Sequence, residues 1–76
     1  MHSLIVEDDG KNIFGASVRK LRTERRLTQE GLAEKANVSL RYIQMIEAGV
    51  SFPRMRNLRD LRRALGCRWD DLLAKL

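Results

Sequence analysis

The sequence predicts an all-α fold of five short helices, on three observations. From Phe14 onward the apolar residues recur at three- and four-residue intervals. Cap and stop residues (Thr28, Asn37, Ser39, Gly49, Gly66) punctuate that pattern at helix-length spacing. No segment carries a strand signal. The chain has 76 residues, enough for one domain and too few for two. A domain of this size buries only about 60% of its unfolded surface, so self-association would add useful apolar burial.

Residues 1–12 read as an N-terminal arm. Leu4, Ile5 and Val6 precede the acidic Glu7, Asp8 and Asp9 and then Gly10, with no helical period. Such an arm is either disordered or a contributor to a partner surface. Phe14, Val18 and Leu21 then form one stripe, with Arg19, Lys20 and Glu24 on the other side, giving a first helix that ends near Arg25 and Arg26.

Thr28 fits a helix N-cap, because its hydroxyl accepts a bond from an otherwise orphaned backbone N–H, and Glu30 places negative charge in the first turn. Leu32, Ala33 and Ala36 supply the buried stripe of the second helix. Asn37 enters a left-handed conformation at low cost and stops it. Ser39 caps a third helix from about Leu40 to Ala48, with Ile43 and Ile46 facing in and Gly49 ending it.

Val50 to Pro53 form a connector, and Pro53 suits a helix start because it has no N–H to lose. Met55, Leu58, Leu61 and Leu65 mark the apolar face of a fourth helix, whose other faces carry Arg54, Arg56, Arg59, Arg62 and Arg63. Gly66 closes it and Cys67 packs back against it. Trp69 to Leu76 form a fifth helix, with Asp70 and Asp71 in its first turn.

The formal net charge of +5 understates an asymmetry: residues 13–76 carry 14 basic and 7 acidic side chains, a net +7. So large an excess on so small a body makes a phosphate backbone the first partner to expect. With one cysteine and one histidine, neither an internal disulfide nor a four-ligand Cys/His zinc site can be assembled, and no cofactor is implied. The opening apolar run is too short for a signal peptide or membrane span, so a cytoplasmic protein with no membrane partner is expected. No nucleophile has a base partner and the glycines are scattered, so an enzyme is not expected.

The run from Leu27 to Ser39, followed by Ile43, Ile46-Glu47-Ala48-Gly49 and Pro53, and downstream by Leu58, Leu61, Ala64-Leu65-Gly66 and Leu72, closely resembles the phage-repressor and Cro type of helix-turn-helix, the XRE family. The likeness covers roughly residues 13–73. It implies a compact five-helix repressor-like DNA-binding domain whose third helix reads the major groove of double-stranded DNA. The chain departs from the pattern at Asn37, where the family usually has Gly. It departs again at Val50, where a basic or polar residue is usual, and at Arg54 and Arg68, where Ser or Thr is usual. Gly31 is expected on an exposed mid-helix face, at a cost of about 1 kcal/mol relative to alanine.

On that resemblance, Ser39, Leu40, Arg41, Gln44 and Met45 are the expected base-contacting residues. Arg41 leads them, because a guanidinium fork bonds guanine O6 and N7 together. Gln29, beside the positive N-terminal end of the second helix, matches the family's phosphate-clamping glutamine. Arg19, Arg54 and Arg56 are further phosphate candidates. Tyr42 either stacks on the sugar-phosphate backbone or covers the gap between helices. Arg22 and Glu47 are expected to pair between the first and third helices and so orient the reader. Arg59, Arg62 and Arg63 read as a solvated face.

Reading a two-fold operator calls for a homodimer, with Trp69, Leu72, Leu73 and Leu76 as seam candidates. The expected function is sequence-specific transcription regulation on an inverted-repeat operator, of the restriction-modification controller or small prophage repressor type. RNA polymerase and a cognate protein partner both stay open. The alternatives are an antitoxin-like protein-interaction module on the same fold, or nonspecific nucleic-acid coating.

Overall fold

A computed structural model describes the backbone of residues 2–76 and the side chains of residues 10–76. Its five helices are α1 (His2–Glu24), α2 (Gln29–Ala36), α3 (Leu40–Glu47), α4 (Met55–Leu65) and α5 (Trp69–Leu72). The all-helical expectation holds for the described residues. Two boundaries differ from the sequence reading. The stretch 2–12, expected as an arm, is helical backbone continuous with α1. Helical bonds are local, and once a helix is nucleated it propagates without an apolar stripe where no proline stops it. At the other end, α5 stops at Leu72 rather than Leu76: Leu73 leaves helical geometry at φ −100°, ψ 13°, and the chain turns on, with Lys75 at φ 70°.

The turns obey the cap chemistry. Thr28 Oγ1 accepts from the Gly31 N–H at 2.9 Å and Ser39 Oγ from the Tyr42 N–H at 3.1 Å. Asn37 sits at φ 58°, ψ 45°, and the next N–H, of Val38, donates to Ala33 O at 3.0 Å, so α2 is closed before the chain turns into α3. Gly66 ends α4 at φ 60°, and buried Cys67 folds back so that its N–H reaches Arg62 O at 3.3 Å. Burial also pushes the Cys67 thiol above its ordinary range.

One core joins all five helices. Phe14 and Val18 from α1, Leu32 from α2, Ile43 and Ile46 from α3, Leu61 and Leu65 from α4 and Leu72 from α5 are its largest fully buried side chains. Each contributes about 1.5–3 kcal/mol by leaving water. α1 packs on α3 and α5, while α2 packs on α3 and α4. The crossing of α1 and α3 is close enough that a Cβ at Gly15 would collide with the carbonyl oxygens of Ile46 and Glu47. Phe14 is covered from outside by Phe52, at a centroid separation of 4.8 Å.

Four further sequence expectations are corrected. Met55, read as part of the apolar stripe, is 71% exposed: its position is the first turn of α4, which projects beyond the core. Pro53 lies buried one residue ahead of the Arg54 N-cap instead of opening the helix. Gly31 is half-buried in the first turn of α2, and a Cβ there would come within 3.2 Å of Thr28 Oγ1. Arg62 is not part of a solvated face. Its Nη1 donates to Cys67 O at 3.1 Å and its guanidinium lies 5.2 Å from the Trp69 ring centroid, fastening α4 to α5.

Candidate nucleic-acid interface

α3 is eight residues long and divides cleanly. Ile43, Ile46 and Glu47 are buried, whereas Arg41, Gln44 and Ala48 form an exposed row at i, i+3 and i+7. Leu40 and Met45 are half-buried on its flanks, and Ser39 is exposed, with its hydroxyl engaged as the N-cap. The inner face therefore fixes the helix and the outer face is left to solvent.

Glu47 anchors the C-terminal end of α3. Its side chain is fully buried, and Arg22 of α1 grips both carboxylate oxygens, with Nε to Oε2 at 2.6 Å and Nη2 to Oε1 at 3.0 Å. Gln29 Nε2 donates to the same Oε1 at 3.0 Å, and Arg19 Nε lies 3.5 Å away. Burial pushes the carboxyl upward in pKa. The bonds from Arg22 and Gln29, the Arg22 charge and the Arg19 contact outweigh that and hold it below the ordinary carboxylate range. Arg22 in turn is raised, first by its bond to Glu47. Its remaining Nη1 donates to Leu27 O at 2.9 Å and closes the α1–α2 turn.

The structure brings together Arg19, Arg22, Gln29 and Glu47, which the sequence assigned to two separate roles. Arg19 keeps 61% of its side chain exposed, so it faces solvent beside the N-terminal end of α2 while touching Glu47. Tyr42 is half-buried against the core, and its hydroxyl accepts from Asn57 Nδ2 at 3.0 Å, tying α3 to α4. Arg54 and Arg56 are exposed at the start of α4, where Arg54 makes no side-chain capping bond.

The seam candidates separate as well. Leu72 is wholly inside the chain's own core and Leu73 packs against it, whereas Trp69 and Leu76 are exposed. Asn57, Gly15 and Arg25 were not singled out from sequence. Arg25 Nε donates to Leu65 O, joining the ends of α1 and α4. Each of these contacts has a partner at least 15 residues away, so no local pattern announces it.

Among the described residues, no helix is long and apolar enough to cross a membrane, and no group of three or more His, Cys, Asp or Glu side chains could hold a metal ion. A family model described as helix-turn-helix matches residues 18–72. The chain is also similar to the HTH-type transcriptional activator BcrR of Enterococcus faecalis, with 36% identity over 61 residues. That alignment covers 80% of this chain and 30% of the relative, so the chain spans under a third of that protein's length.

Proposed function

The chain belongs to the helix-turn-helix family, and from that premise we propose that it is a DNA-binding transcriptional regulator which reads sequence with the outer face of α3. The observation that carries the proposal is the division of α3. Arg41 and Gln44 stand exposed on a helix whose opposite face and C-terminal carboxylate are held by the core and by Arg22. A major-groove reader needs that combination: long polar side chains pointing outward from a helix that cannot roll.

In this reading Arg41 bonds a guanine edge, Gln44 an adenine or a phosphate, and Leu40 and Met45 give apolar contact to thymine methyl groups. Ser39 sits at the end of α3 that enters the groove first. Gln29 keeps a second N–H beside the positive N-terminus of α2, with Arg19 next to it, to hold a phosphate. Arg54 and Arg56 reach the backbone at the start of α4, and Arg54 there offsets the contact that Val50 lacks. Two copies place their readers in successive major grooves, with half-sites about 34–36 Å apart. Bound there, the dimer occludes or recruits polymerase by position, as a restriction-modification controller, a prophage repressor or an activator would.

A protein-interaction module is the second reading. It is favoured by the segment after α3, where Val50 and Phe52 of the connector and Met55 at the start of α4 are all exposed. Selection of bound duplexes from a random DNA library, at near-physiological salt, decides between the two. An enriched inverted repeat supports the regulator. Absence of enrichment by folded protein overturns it and shifts the weight to a protein partner.

A further inference from the structure

The junction of α4 and α5 holds an open hollow of about 420 Å³, lined by Arg62 of α4, Arg68 of the turn, and Trp69 and Asp70 of α5. Arg62 is half-buried there, and its charge meets no carboxylate: the ion pairs among the described residues all involve other cations. Asp70, in the same hollow, turns to Arg68 instead, at 3.5 Å. One N–H of Arg62 is spent on Cys67 O, while its Nε is buried with no hydrogen-bond partner among the described residues. A cation withdrawn from water is ordinarily paired and hydrogen-bonded, because its desolvation is costly. Here the Cys67 carbonyl and the Trp69 ring, 5.2 Å from the guanidinium, offset only part of that cost.

We propose that this hollow is a binding site for a small aromatic carboxylate. Three features select that class. Arg62 and Arg68 both present planar guanidinium forks, the shape that a carboxylate answers. Trp69 is 39% exposed, so part of its ring is open to stack with a second ring. Asp70 places a negative charge on the rim, which disfavours phosphate and other dianions and leaves a monoanion as the better match.

The ligand's carboxylate takes the place of Asp70 on Arg68. That pair is weak, since its two side chains are 82% and 87% exposed. The same carboxylate supplies the countercharge that Arg62 lacks. None of the residues assigned to DNA lines the hollow, so the site is separate from the outer face of α3 and goes beyond the regulator reading. An open site of four side chains holds such a ligand weakly, and a titration has to run to high concentration.

Trp69 is the sole tryptophan of the chain, so its fluorescence reports on this site alone. Benzoate is titrated into the full chain at constant ionic strength, with acetate, benzamide and inorganic phosphate in parallel and N-acetyltryptophanamide as the collisional control. A saturable change with benzoate is expected, together with a rise in melting temperature, because a ligand held by the folded chain stabilises it. Acetate lacks the ring, benzamide lacks the charge and phosphate brings too much of it, so each is expected to bind more weakly. Arg68→Ala is expected to weaken benzoate about tenfold, the worth of one charge-assisted hydrogen bond. Asp70→Asn is expected to tighten it, since the competing carboxylate is gone. Arg62→Lys keeps the charge, loses the fork and weakens it.

A quench that stays linear and matches N-acetyltryptophanamide overturns the proposal. So does binding that acetate or benzamide equals, or that neither Arg68→Ala nor Asp70→Asn alters. Phosphate held more tightly than benzoate overturns the assigned ligand class. If Arg62→Lys unfolds, the Arg68 and Asp70 variants, both at exposed side chains, still decide. No DNA enters the titration, so its failure leaves the regulator reading standing, and failure of that reading leaves this site intact.

Discussion

Arg22 and Glu47 meet as a two-pronged pair, Nε to Oε2 at 2.6 Å and Nη2 to Oε1 at 3.0 Å, with the carboxylate fully buried and only 13% of the arginine side chain exposed. The pair joins α1 to the last turn of α3, so its integrity is the integrity of α3's position. Removing one partner strands the other in a place where water cannot replace it. Glu47→Ala is therefore expected to cost about 3 kcal/mol, and the double replacement Arg22→Met with Glu47→Leu less than that. Urea unfolding of Arg22→Met, Glu47→Leu and the double measures the coupling; a double loss equal to the sum of the two single losses would mean the pair adds no mutual dependence.

The same carboxylate sets an acid limit. Its folded pKa lies below its unfolded one, so its stabilisation is fully present above the unfolded value and disappears as pH falls through the folded value. Wild-type melting temperature should stay level near neutrality and decline below about pH 4. The gap between wild type and Glu47→Gln should narrow over that same acid range, which a melting series at stepped pH reads directly.

Gly15 and Gly10 lie on one helix and should respond in opposite directions. At Gly15 an added Cβ strikes backbone carbonyls of α3, which cannot rotate aside; at Gly10 it meets nothing within 4 Å. Gly15→Ala is expected to lose about 1–3 kcal/mol by overpacking. Gly10→Ala is expected to gain up to about 1 kcal/mol of helix propensity. Thermal unfolding of both variants is sufficient, and a neutral Gly15→Ala would mean that α1 and α3 can separate.

For DNA, the two amide and guanidinium side chains should behave differently. Arg41→Ala is expected to lose about 1–3 kcal/mol of discrimination at one base position and little affinity for other sequences. Gln29→Ala should weaken all sequences together. Because Gln29 also donates to Glu47, it should lower the melting temperature slightly as well. Competition binding against single-base operator variants checks both; a uniform loss for Arg41→Ala would remove it from the base-reading set.

How much of this was legible depends on distance along the chain. The caps at Thr28 and Ser39, the left-handed stop at Asn37 and the close at Gly66 were readable, because each is decided within about four residues. The Arg22–Glu47 pair was reachable only through resemblance, since 25 residues separate its members. Gln29 in the same cluster was not anticipated, nor was Asn57 under the Tyr42 hydroxyl. Arg62 reads as one more arginine in a run until α5 brings Trp69 beside it. The helical backbone of residues 2–12 escaped notice because the apolar residues in that stretch of sequence follow no helical period.

The close contact at Gly15 has an evolutionary meaning. The tilt of α3 is set by main-chain atoms of α1 and α3 meeting with no side chain between them, and by a carboxylate at the helix end. The exposed positions Arg41 and Gln44 contribute nothing to that alignment. Substitutions there can accumulate without moving a packed atom, while a single methyl group at position 15 disturbs the whole arrangement. The fold thus keeps its inheritable constraint and its variable positions on opposite sides of one short helix; on the proposed DNA reading, new preferences would be acquired at two or three codons on an unaltered scaffold.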